Sequence, residues 1–104
     1  MDADIKKALL EKLKVKLRIT WDNQKTNEEL SDLIDDSEQY MNHLLGAETD
    51  YSAPGIMRML FLNYACYKWN NCEEDFENAY RKDILRAQAI CEVKKREEEK
   101  NESE

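Results

Sequence analysis

Ile56-Met57-Arg58-Met59-Leu60-Phe61-Leu62-Asn63-Tyr64-Ala65-Cys66-Tyr67-Lys68-Trp69 is apolar on nearly every side when wound as an α-helix. A helix of that kind belongs at the centre of a bundle or in a subunit contact, because a surface helix keeps one polar face. It is too short, and too interrupted by Arg58 and Asn63, to cross a membrane, which takes about 18 or more apolar residues. The stretch therefore predicts a central helix that is apolar from 56 to about 69, with Asn63 in need of a hydrogen-bond partner.

Amphipathic partners for that helix lie on both sides of it. Ile5, Leu9, Leu13 and Leu17 recur at every fourth position and predict a first helix over 4–17, with Asp2 and Asp4 at its positive end and lysines on its other face. The next stretch, Leu17-Arg18-Ile19-Thr20-Trp21-Asp22, is apolar and β-branched, lowers helix propensity and reads as an elbow with Trp21 in a tight connection. Thr26-Asn27-Glu28-Glu29 then has the form of a capping box. It opens a second helix over 27–45 with the buried stripe Leu30, Leu33, Ile34, Ser37, Met41 and Leu44, and Gly46 closes it. Asp32, Asp35, Asp36 and Gln39 fall mostly on the solvated side.

Ser52 followed by Pro54 reads as a cap with proline in the first turn of the central helix. Beyond it, Asn71 with Glu74 reads as the start of a fourth helix, whose stripe is Phe76, Tyr80, Ile84, Ala87 and Cys91; a single kinked helix is the competing reading. Arg81, Lys82 and Arg86 lie off that stripe. After Val93 no apolar side chain remains, so 94–104 is expected to be a frayed helix end or a disordered tail. The expected fold is all-α: one bundle of about four helices with short connections over 1–93, followed by a charged tail over 94–104.

Composition narrows the function classes. The 104 residues fit one small domain, and charged residues make up 38% of them with a formal net charge of −7. That balance argues against a phosphate-binding surface, which needs clustered Lys and Arg. The acidic start Met1-Asp2-Ala3-Asp4 lacks the basic character of a secretory signal, and no apolar run is long enough for a membrane span, so host cytoplasm is the expected location during synthesis. Cys66, Cys72 and Cys91 are odd in number and match no zinc or CxxC spacing, so they are expected to be reduced and to pack as small hydrophobes.

No constellation points to catalysis, a cofactor or a metal. The single His43 falls near the end of the second helix, where an imidazolium is favoured by the helix dipole. Asp35 and Asp36 are adjacent, so they diverge on a helix instead of meeting at a reacting atom. There is no Gly-rich phosphate loop, nucleophile elbow or HExxH. Trp21, Tyr40, Tyr51, Trp69 and Tyr80 are mainly core candidates, but Trp and Tyr are also preferred interface anchors. Trp21, in a connection, and Trp69, at a helix end, are the interface candidates.

From Trp21 onward, through Tyr40-Met41-Asn42-His43-Leu44-Leu45-Gly46-Ala47, Asp50-Tyr51-Ser52-Ala53-Pro54-Gly55, Leu60-Phe61-Leu62-Asn63-Tyr64 and Asn70-Asn71 to Phe76 and Tyr80, the chain resembles the phage head-tail connector family of long-tailed phages and Gram-positive prophages. The resemblance spans most of the chain and carries over at structural positions such as Trp21, Gly46, Pro54 and Gly55. It implies a non-enzymatic virion protein at the head-tail junction. Such a protein forms a homo-oligomeric ring under the portal protein, extends the channel for passing duplex DNA and docks the next head-completion or tail component. It also directs attention to the C-terminal region as the portal contact, with Arg81, Lys82, Arg86 and the cluster Lys94, Lys95, Arg96 as candidates. A small acidic adaptor or regulator, presenting the Asp32 to Asp36 face to a host protein, is the alternative.

Overall fold

The computed structural model describes residues 1–102, and within them the fold is all-α. Its elements are α1 (Ala3–Leu17), α2 (Gln24–Leu45), α3 (Ile56–Trp69), a single 3-10 turn (Glu73–Asp75) running into the short α4 (Phe76–Ala79), and α5 (Arg81–Glu102). α3 is the hub: it packs against α1, α2, α5 and the 3-10 turn. None of its residues is exposed, as its all-round apolar character predicts. Asn63 is satisfied within α3 itself, donating from Nδ2 to the Met59 carbonyl at 2.8 Å.

The core joins Leu9 and Leu13 of α1, Leu30, Ile34 and Met41 of α2, Leu60, Phe61 and Ala65 of α3, and Phe76 and Ala87 from the last part of the chain. Aromatic rings tie these layers together. Tyr40 stacks on Tyr64 with centroids 4.0 Å apart, Tyr64 meets Phe76 edge-on at 5.2 Å, and Tyr51 packs against Phe61 at 4.6 Å. Each such pair adds about 0.5–1.5 kcal/mol beyond the area it buries.

α1, α2 and α3 end in the same way although only one of them has a glycine there. Gly46 follows α2 at φ 74°, with its N–H on the His43 carbonyl and that of Ala47 on Asn42. Arg18 and Asn71 take the same left-handed conformation after α1 and α3, both at φ 59°, and the following residues Ile19 and Cys72 reach back to Lys14 and Tyr67. Ile19, buried beneath α1, holds the elbow in place.

Helix starts depart from the sequence reading in three places, each for a local reason. α2 begins three residues earlier than expected because Asn23, a stronger cap than Thr, accepts from the backbone N–H groups of Lys25 and Thr26 at 2.8 and 3.3 Å. Thr26 lies inside the helix, its hydroxyl accepting from Trp21 Nε1 at 3.4 Å. Ser52 does not cap α3, because its hydroxyl donates to Asp50 Oδ1; the helix opens at Ile56 after Gly55, with Pro54 outside it. Asn71 closes α3 rather than opening a fourth helix, and the expected fourth helix is divided at Tyr80 into α4 and α5.

The ordered chain also runs past Val93. α5 stays helical through the Lys, Arg and Glu residues to Glu102, which is the helix end, and not the disordered tail, of the two expectations for the segment after Val93. These are good helix formers, and Arg96 and Glu92 pair along the helix at 3.4 Å. The remaining tail positions, 103 and 104, lie outside the described residues. A 22-residue helix is about 33 Å long, and it makes the molecule elongated, with extents of 52 × 30 × 19 Å. The radius of gyration of 14.9 Å exceeds the roughly 13 Å of a compact chain this size.

Candidate functional site

α5 carries two apolar stripes. At about 100° per residue, Ile84, Ala87 and Cys91 share the face turned to α2 and α3, and all are buried. Leu85, Ala89 and Val93 follow one another at four-residue steps on the opposite side, while Ile90 lies off this row and borders a cleft with Thr49, Asp50 and Met57. Among the described residues this second stripe is open: Leu85 is 57% exposed and Val93 55%. Lys82, Arg86 and Arg96 project from the same side, so the outer face of α5 is both apolar and basic. Neither Lys82 nor Arg86 makes an ion pair among the described residues.

The basic cluster expected at Lys94, Lys95 and Arg96 is not one surface. Adjacent residues on a helix diverge, and here each goes to a different neighbour. Lys95 turns back to the bundle and donates from Nζ to the Gly46 carbonyl at 2.7 Å, which places its charge at the negative end of α2. Lys94 lines a cleft of about 240 Å³ with Thr49, Asp50, Met57 and Cys91. Asp50 there accepts from the Ser52 hydroxyl and N–H at 2.5 and 2.8 Å; those bonds, with help from Lys94, hold its carboxyl below the usual range. Arg96 alone of the three stays on the outer face, next to Glu92. Arg81 lines a separate groove with Leu44, Glu74, Glu77 and Leu85.

The two tryptophans occupy different grooves. Trp21 is 56% exposed, and its groove at the α1–α2 elbow is lined by Leu10, Val15 and Ile19 among charged residues. Trp69 is half-buried against the core and borders a groove of about 440 Å³ with Lys68, Leu33 and the carboxylates of Glu29, Asp32 and Asp36. Asp35, one residue away, faces α1 and pairs with Lys6 at 2.9 Å. The acidic side of α2 is therefore split. Asp35 is neutralised internally, whereas Asp32 and Asp36 are exposed and make no ion pair among the described residues.

The titratable groups of the interior are held in their neutral forms. Burial pushes the Tyr40 hydroxyl well above its ordinary value, and its donation to Glu77 Oε1 at 2.9 Å pushes it further. Burial also raises Tyr51, which donates to Asn42 Oδ1 at 2.7 Å, as well as Tyr64 and Tyr80. The Cys66 thiol is pushed up by burial against a small opposing pull from Lys16, which keeps it protonated and unreactive. Cys66 and Cys72 are half-buried and Cys91 is buried, all three as free thiols. His43 is exposed. No group of three His, Cys, Asp or Glu side chains converges to hold a metal ion among the described residues, and no helix among them is long and apolar enough to cross a membrane.

Fold and surface together define a small all-α bundle whose chemistry-bearing feature is a pair of faces, one apolar and basic on α5, one acidic around Trp69. The chain matches no protein-family model, no curated protein and no solved structure. The sequence reading singled out Lys82, Arg86 and Trp69 but not Leu85, Ile90 or Val93. The signal for these was the four-residue spacing of Leu85, Ala89 and Val93, offset from the core stripe of the same helix.

Proposed function

We propose that this protein is a structural, non-enzymatic component of a phage virion, a head-tail connector that assembles as a ring under the portal protein. It extends the DNA channel and offers a docking surface to the next head-completion or tail component. The observation that carries the reading is the outer face of α5, a row of exposed apolar residues flanked by unpaired basic ones on a helix that projects from the bundle. Such a face suits protein contact, since apolar area provides the association energy and the rim charges set partner and register. The resemblance of the sequence to connector proteins supplies the kind of partner. The net charge of −7 suits a channel through which duplex DNA slides, because carboxylates repel phosphate where a basic lining would bind it.

The test is co-sedimentation with the portal protein encoded beside it, followed by electron microscopy. A ring stacked coaxially on the portal is expected, and a chain ending at Val93 should fold normally yet bind the portal more weakly. Absence of portal binding across several salt concentrations would overturn the reading. The acidic Trp69 groove favours one second reading, an acidic adaptor that binds a basic host protein through Asp32 and Asp36. It calls for one-to-one capture of that partner and no affinity for a portal ring.

A further inference from the structure

The two faces described above are complementary to each other. On α5, Lys82 and Arg86 stand four residues apart, about 6 Å along the helix, with Leu85 and Ala89 between and beside them. On α2, Asp32 and Asp36 stand at the same separation, with the half-buried Trp69 and Leu33 next to them in the groove. Both pairs are exposed and make no ion pair among the described residues. They do not pair within one molecule, where the first part of α5 packs by the C-terminal end of α2. Gln88 donates to the Leu44 carbonyl at 2.9 Å, and Ile84, Leu85 and Gln88 border one groove with Leu44. Asp32 and Asp36 stand twelve and eight residues before Leu44, about 18 and 12 Å back along α2, beside the end of α3.

We infer that the outer face of α5 in one copy docks on the acidic Trp69 groove of a second copy, with Lys82 and Arg86 facing Asp32 and Asp36 and Leu85 and Ala89 covering the indole. Donor and acceptor faces differ, so the contact is head-to-tail. The joined pair keeps one free face of each kind, and repetition gives a ring when the rotation closes and a filament when it does not. The contact deepens the connector reading by naming how subunits join. It rests on that reading for ring closure only, since the pairing follows from the two faces themselves.

Sedimentation velocity of the full chain, up to millimolar concentration and at low and high salt, tests the pairing. Self-association that weakens with salt is expected. The double reversal Lys82→Glu with Arg86→Glu should weaken it by about tenfold or more, and so should Asp32→Lys with Asp36→Lys, because each sets like charges opposite one another. All four positions are exposed, so circular dichroism should be unchanged. Mixing the two reversed variants, or combining all four changes in one chain, restores opposite charges at every contact and should restore association. A chain that is monomeric throughout, association indifferent to either reversal, or reversals that are not rescued by the combination would each overturn the inference. Portal co-sedimentation is scored separately, so a failed self-contact and a failed connector role give different results.

Discussion

α3 and α5 sit in the same bundle, yet no residue of α3 is exposed while every residue of α5 from Glu92 to Lys100 is. α3 has neighbours on all sides and its composition matches, with Phe61, Tyr64 and Leu60 each set against a partner helix. α5 has neighbours on one side only, and its composition does not match, since Leu85, Ile90 and Val93 lie in water. A lone exposed apolar residue is ordinary, but a periodic row of them with a basic border is a candidate contact surface. The burial of α3 is thus explained by the monomer, whereas the outer stripe of α5 is what the proposed self-contact would cover.

The largest effect expected from breaking that contrast comes from alanine truncations in the two helices. Phe61→Ala removes a side chain with no exposed surface that packs on Tyr51, and should cost about 3–5 kcal/mol of stability. Leu85→Ala removes an apolar side chain too, but should change monomer stability by about 0.5 kcal/mol or less. Denaturant unfolding of both variants checks this. A large cost at Leu85 would place that side chain in the monomer's own core and remove the contrast.

The buried side can also be sharpened with pH. Tyr51 is 1% exposed, and burial raises its hydroxyl above the ordinary value of 10.0. Below about pH 10 the folded and unfolded states both hold its proton, so its contribution to stability is fully present there. Above that pH the unfolded chain ionises first and binds fewer protons, so stability falls as pH rises, by up to about 1.4 kcal/mol per pH unit for each such tyrosine. Tyr40, Tyr64 and Tyr80 are shifted the same way, whereas the outer residues of α5 add no comparable tyrosine. Tyr51→Phe gives up the hydrogen bond to Asn42, about 1 kcal/mol at neutral pH, and should lose stability less steeply in alkali. Thermal midpoints of both proteins followed from neutral to alkaline pH should therefore converge; parallel curves would show that Tyr51 ionises alike in both states.

What was legible in the sequence follows the same divide. The centre was readable because periodicity records burial: the apolar stretch 56–69 is helical throughout and α3 ends at Trp69 as predicted, although it starts after the Ser52–Pro54 cap, and Leu30, Leu33, Ile34, Ser37 and Met41 of the predicted α2 stripe are buried. Helix starts were less readable, because two capping residues in one loop compete and only contacts choose between them. Asn23 prevails over Thr26, and Asp50 withdraws the Ser52 hydroxyl from α3. In the candidate surface the charges were readable by type but not by grouping. Lys94, Lys95 and Arg96 are one word in the sequence and separate surfaces in space, and the groove at Trp69 draws its carboxylates from a helix some thirty residues away.

Ser37 is the counterpart of Leu85 and gives the smallest and most pointed test. Leu85 is an apolar side chain in a wet position, and Ser37 is a polar one in a dry position, 0% exposed on α2 with no hydrogen-bond partner for its Oγ among the described residues. A hydroxyl buried without a partner is destabilising, and alanine fits the same space while favouring the helix. Ser37→Ala should therefore raise stability by about 0.5–1.5 kcal/mol, read as a shift in denaturant midpoint at unchanged slope. Leu85→Ser, which corrects the opposite mismatch, should leave the monomer within about 0.5 kcal/mol and weaken self-association. If Ser37→Ala instead destabilises the chain, the hydroxyl has a partner in solution and the interior of α2 is not dry. If Leu85→Ser leaves association untouched, the outer stripe of α5 is only surface. The two substitutions separate a mismatch tolerated by the fold from one kept for a partner.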